Sequence, residues 1–95
     1  MANTDMVHVT TKTGFEIDVD KACMDDMEII EALADVEDSK ISGLPRMIKL
    51  MLGEDGKKAL YDHVRKQSKS GRVRVSAISE EIKDITDALG NDAKN

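Results

Sequence analysis

The chain reads as a small α+β domain, mainly helical, in which an N-terminal β-hairpin is followed by about four short helices. Three observations predict this class. Two short stretches near the start alternate apolar and polar side chains across a connection that contains Gly14. Beyond them, apolar residues recur at helical spacing, interrupted by turn residues. The length, 95 residues, suits a single domain spanning 1–95 with one modest core.

The hairpin occupies about 7–19. Val7 to Thr11 and Phe15 to Val19 are the alternating segments, and Lys12-Thr13-Gly14 connects them as an antiparallel turn. Val7 and Val9 then share a face with Phe15, Ile17 and Val19. A two-stranded ribbon is marginal alone, so that face needs the helices as cover.

A first, acidic helix is predicted over about 20–37, with a loose first turn. Asp25 and Asp26 suit its start, where negative charge meets the positive end of the helix dipole. Met27, Ile30, Leu33 and Ala34 form its inner stripe, widened by Ile29 and Val36. Residues 38–43 are a linker of turn residues. A second helix covers about 44–52, with the single proline, Pro45, near its start, where no intrahelical bond is lost. Gly53 stops it, and a basic helix follows over about 54–69. Leu60 and Val64 form the inner stripe of that helix with Ala59 and Tyr61.

Residues 70–72 make a turn and 73–75 a short extended piece. The last helix spans about 76–89, with Ser76 as N-cap and Gly90 just past its end. Ile78, Ile82, Ile85 and Leu89 are the most regular amphipathic stripe in the chain. Residues 91–95 form a frayed polar tail.

Composition removes several function classes. One Phe, one Tyr and no Trp leave aliphatic residues and six Met to build the interior. Such a core is adaptable, because Met fills irregular gaps. So few aromatic residues argue against base-stacking platforms for single-stranded nucleic acid. No apolar run reaches the ~20 residues that a membrane-spanning helix requires. Residues 1–5 lack the basic and apolar regions of a signal peptide. A lone cysteine, Cys23, forms no internal disulfide and fits a reducing cytoplasm, and its acidic neighbours Asp25 and Asp26 disfavour the thiolate.

Charge is polarised along the chain although the total is only −5. Residues 16–38 carry ten acids against Lys21, a net of −9, and residues 57–74 carry seven bases against Asp62, a net of +6. The two segments face solvent, neutralise each other within the fold, or steer partners and further copies of the chain. Candidate faces for self-association are Asp25, Asp26, Glu28 and Glu31 on one side and Lys58, Arg65, Lys66 and Lys69 on the other.

Catalytic and metal chemistry find no pattern. His8 and His63 have no Cys or His at ligand spacing, so each is expected in a solvent-facing or hydrogen-bonded structural role. Asp18-Val19-Asp20 begins like a calcium loop, but Cys23 stands where the turn requires Gly and Ile29 where a bidentate Glu is required. Gly53-Glu54-Asp55-Gly56-Lys57-Lys58 is too short for a phosphate loop, lacks the hydroxyl residue and holds two acids in the cradle. No enzyme, cofactor or metal is expected. A helix-turn-helix-like DNA-binding regulator is the alternative function, with the basic helix in the groove, but the acidic total and the absence of a recognisable turn oppose it.

Residues 44–52 remain the most apolar segment. Leu44, Met47, Ile48, Leu50 and Met51 cover more than one helix face. The segment is therefore either the central core helix or an apolar groove completed by a partner.

Taken in order, residues 15–92 resemble the tail assembly chaperones of long-tailed (siphovirus-like) phages and prophages of Gram-positive bacteria. The resemblance lies in Phe15-Glu16-Ile17-Asp18 entering an acidic segment, then Asp25-Asp26-Met27-Glu28-Ile29-Ile30-Glu31-Ala32-Leu33. It continues in Leu44-Pro45-Arg46-Met47-Ile48-Lys49-Leu50-Met51-Leu52-Gly53 and in Gly71-Arg72-Val73-Arg74-Val75-Ser76-Ala77-Ile78-Ser79-Glu80-Glu81-Ile82. Met27 departs from the family pattern, where an aromatic residue is expected, as does Arg74, where proline is frequent.

The resemblance implies a non-enzymatic protein of the host cytoplasm that is not part of the mature virion. Its implied partners are the tape measure protein, which it binds and keeps soluble, and the tail tube protein, whose subunits it helps recruit. It also implies a homo-oligomer and a longer form made by ribosomal frameshifting near residues 93–95. No nucleic acid or membrane is implied.

Overall fold

Alternation in the sequence becomes a hairpin in space. Strand β1 (Met6–Thr10) pairs antiparallel with β2 (Glu16–Asp20), placing Val7 opposite Val19 and Val9 opposite Ile17 on one face and His8 opposite Asp18 on the other. The computed structural model describes residues 6–38 and 40–94, the last four by backbone alone. Expectations for residues 1–5, Ser39 and Asn95 lie outside the described residues.

The loose first turn of the acidic segment is a 3₁₀ turn, Lys21–Asp25, followed by helix α1 (Met27–Glu37). Both starts are capped by acids. Asp20 accepts from the Ala22 N–H and Asp26 from the Glu28 N–H, each at 2.9 Å, which satisfies donors that a helix start otherwise leaves free. Part of the acidic run thus has a local structural role.

Helix α1 buries a different face from the one predicted. Ile29 and Ala32 lie in the core, with Val36 and Cys23 packed against it, whereas Met27, Ile30, Leu33 and Ala34 face outward. The reason is the crossing with the next helix. A Cβ on Gly43 would stand 2.7 Å from the Ala32 carbonyl oxygen and 2.8 Å from the Asp35 Cβ. The two backbones approach this closely only on the side where α1 presents its small residue, and that side becomes the inside. Arg46 closes the contact with an ion pair to Asp35 at 3.2 Å.

The segments predicted as separate helices at 44–52 and 54–69 form one element, α2 (Gly43–Gln67), so the described residues form three α-helices rather than four. The predicted break exists as a bend. Gly53 adopts φ 76° and ψ 175°, outside the helical region and accessible essentially to glycine alone, and helical backbone resumes on either side. Before the bend, Leu44, Met47, Ile48 and Met51 are buried; after it, Leu60 and Val64 are. Tyr61 is half-buried, and Ala59, expected in the inner stripe, is exposed.

Helix α3 (Val75–Lys94) begins one residue ahead of the predicted cap, since the Ile78 N–H bonds to the Arg74 carbonyl at 3.0 Å. Val75 is therefore helical, and Ser76 lies within the first turn. The helix also passes through Gly90, which does not take the left-handed conformation of a helix stop, so 91–94 are helical rather than a frayed tail. The predicted stripe holds, with Ile78, Ile82, Ile85 and Leu89 all buried. Together with Val9, Phe15 and Val19 from the hairpin, they complete a single core against α1 and α2.

Candidate functional site

Of the candidate groove on α2, four residues belong to the core: Leu44, Met47, Ile48 and Met51 are each less than a tenth exposed. Leu50, 36% exposed, lies outside it. Most of the segment's apolar side chains thus lie in the core of the domain.

Its edges nevertheless line two small apolar clefts, each of about 180 Å³. The first lies between α1 and α3, walled by Leu33, Val36, Leu44, Met47, Ile82 and Thr86. The second lies on the other side of Leu44, walled by Ile41, Pro45, Ile48, Tyr61, Val73 and Ile78. Each suits one bulky apolar side chain from a partner, the form that an anchoring contact takes.

Apolar side chains are also exposed elsewhere. On α1, Met27 is 68% exposed and Ile30 47%, with Leu33 beside them. Sequence periodicity found this stripe but assigned it to the core.

The candidate charged faces remain separate elements. Asp25, Glu28 and Glu31 are exposed on the 3₁₀ turn and α1, while Asp26 is half-buried and engaged as a cap. Lys58, Arg65, Lys66 and Lys69 are exposed on or just beyond the second arm of α2, where Arg65 pairs with Asp62 at 2.9 Å. The arms of α2 meet at one non-helical residue, without the three- or four-residue turn of a helix-turn-helix.

A polar cluster that sequence reading missed ties the hairpin turn to both long helices. Glu81, almost fully buried, accepts from the Thr11 hydroxyl at 2.7 Å and from the Thr13 hydroxyl at 2.6 Å. A hydroxyl has one proton, so Thr13 must accept from His63, whose Nε2 stands 2.9 Å away and carries the hydrogen. The His63 ring also packs at 5.3 Å against that of Phe15. Asp84 accepts the Lys12 N–H at 3.0 Å, and the Gln67 amide donates to the Thr13 carbonyl at 3.2 Å. With the Thr13 proton directed at a carboxylate and not at the imidazole, this arrangement clamps a turn rather than activating a nucleophile.

Among the described residues two titratable groups are displaced. Hydrogen bonds donated to Glu16 and then to Asp18 push the His8 pKa up from 6.5. Burial, followed by the charges of Asp20 and Asp26, pushes the Cys23 thiol up, away from the reactive thiolate. Among the described residues no group of three or more His, Cys, Asp or Glu is placed to hold a metal ion, and no helix is long and apolar enough to cross a membrane.

Compared with protein-family models, curated proteins and solved structures, the chain matches none.

Proposed function

We propose that the chain is a tail assembly chaperone of a long-tailed phage or prophage of a Gram-positive host. In this reading it is a non-enzymatic protein of the host cytoplasm that binds the tape measure protein, keeps it soluble, and helps recruit tail tube subunits without entering the virion. The ordered segments within 15–92 support the family.

The observation that carries a client-binding role is the apolar cleft between α1 and α3. There Leu33 and Val36 at the rim stand over Leu44 and Met47 from the candidate groove and Ile82, all three in the core beneath. A long helical client exposes apolar side chains at regular intervals until the tube closes round it. A small cleft with a Met wall takes such side chains without demanding one shape. In this reading the client meets the rim of this one cleft rather than the whole of residues 44–52.

Co-expression with the tape measure protein encoded beside this chain is the test. The long protein should appear in the soluble fraction and co-purify with the chain. Replacing Leu33 by Lys at the cleft rim should reduce recovery several-fold while leaving the fold intact. A tape measure protein equally insoluble with and without the chain would overturn the reading. In the gene, a slippery run at codons for 93–95 with an overlapping frame would add the longer form.

A further inference from the structure

Two surfaces left uncovered among the described residues complement each other. The first is the outer face of α1. Met27 and Ile30 lie along it, exposed, and Glu28, Glu31 and Glu37 stand among and beside them with no ion pair among the described residues. The same helix is held by Ile29 and Ala32 in the core and by the close approach at Gly43. It therefore cannot roll its outer face inward.

The second surface is an open trough of about 920 Å³ where α2 ends and α3 begins. Its apolar floor is Tyr61, Val73 and Val75, and its rim is Arg65, Arg72 and Arg74, with no acidic residue in the lining. Arg72 and Arg74 make no ion pair among the described residues, and Lys57 stands 5.6 Å from the Tyr61 ring, adding to the positive charge. Tyr61, Val73 and Val75 also line the second apolar cleft, so the floor continues past Ile41 toward Ile78.

We propose that the outer face of α1 docks into this trough on a second copy of the chain, Met27 and Ile30 entering the floor while Glu28 and Glu31 meet Arg72 and Arg74. The match of sign and of apolar content between two uncovered faces of one chain selects a second copy as occupant. Because the two faces differ, the contact is heterologous and leaves one of each kind free at the ends, so it propagates or closes into a ring. Exposed charges set its register, and salt weakens it. The inference rests on the self-association implied by the chaperone reading and replaces its diffuse charged segments with two defined surfaces.

Sedimentation velocity on the full chain and two charge-reversed variants tests it. Wild-type protein should grow in mass between micromolar and millimolar concentration at low salt. Glu28→Lys with Glu31→Lys, and separately Arg72→Glu with Arg74→Glu, should each raise the dissociation constant at least about tenfold, since like charges then face each other. All four positions are exposed, so circular dichroism should be unchanged. An equimolar mixture of the two variants should regain assembly, because each reversed face finds its opposite. Wild-type protein that stays monomeric throughout overturns the proposal, as do variants that assemble like wild type or a mixture that does not recover. The tape measure solubility assay on the same proteins keeps the two questions apart. A monomer that still solubilises the client refutes only the docking, whereas an assembling chain that does not solubilise it refutes only the chaperone reading.

Discussion

His8 stands on the solvent face of the hairpin, with Nε2 2.9 Å from Glu16 and Nδ1 2.7 Å from Asp18. Both partners favour the imidazolium, so the folded chain holds this proton more tightly than the unfolded one. A pKa raised on folding stabilises the protein below the unfolded value, and the gain disappears as pH rises through the folded value. The melting temperature of wild type should therefore exceed that of His8→Gln by more near pH 6 than near pH 9. In a chemical-shift titration, Glu16→Gln with Asp18→Asn should return His8 toward 6.5; an unmoved midpoint would sink the account. At this scale the sequence was partly legible. Both histidines were expected in bonded or solvent-facing roles, and both are so placed. Glu81 was not singled out, because its hydroxyl partners lie about 70 residues away in sequence.

Elements were legible where one periodicity dominated. The strand pairing and the Ile78-Ile82-Ile85-Leu89 stripe follow from spacing alone. Helix α1 carries apolar residues on two faces, and spacing favoured the one that the Gly43 crossing leaves outside. Close packing at a small residue outweighed the more regular stripe. The bend in α2 was visible as Gly53, yet no spacing rule distinguishes a bend from a loop. Its geometry makes a definite prediction. An alanine at 53 meets no atom within 4 Å, so any loss of stability comes from the backbone angles and not from a clash. Gly53→Ala should destabilise by about 1–3 kcal/mol, read as a lower urea midpoint at unchanged slope. Gly90→Ala, in regular helix with open space at the Cβ, should instead raise the midpoint slightly. If the two variants shift it equally, Gly53 does not hold the strained bend.

At the scale of the whole molecule the question is whether a two-stranded hairpin and three helices melt together. A hairpin alone is marginal, and this one has only five residues in each strand. Two connections bind it to the rest. Val9, Phe15 and Val19 belong to the same core as Ile85 and Leu89, and Glu81 anchors the hairpin turn through Thr11 and Thr13. If the second connection matters globally, Glu81→Ala removes a buried acceptor from two hydroxyls and leaves them without the carboxylate they were placed to meet. Hydrogen bonds to a charged group contribute more than neutral ones, so a loss of about 2–3 kcal/mol is expected. The loss should be shared. Native-state hydrogen exchange should show the slowest amides of β1, β2, α2 and α3 all losing protection by the same free energy, because they open in one cooperative unit. Loss confined to the strand amides would mean that the hairpin is a separately melting flap, and that α2 and α3 hold a core without it.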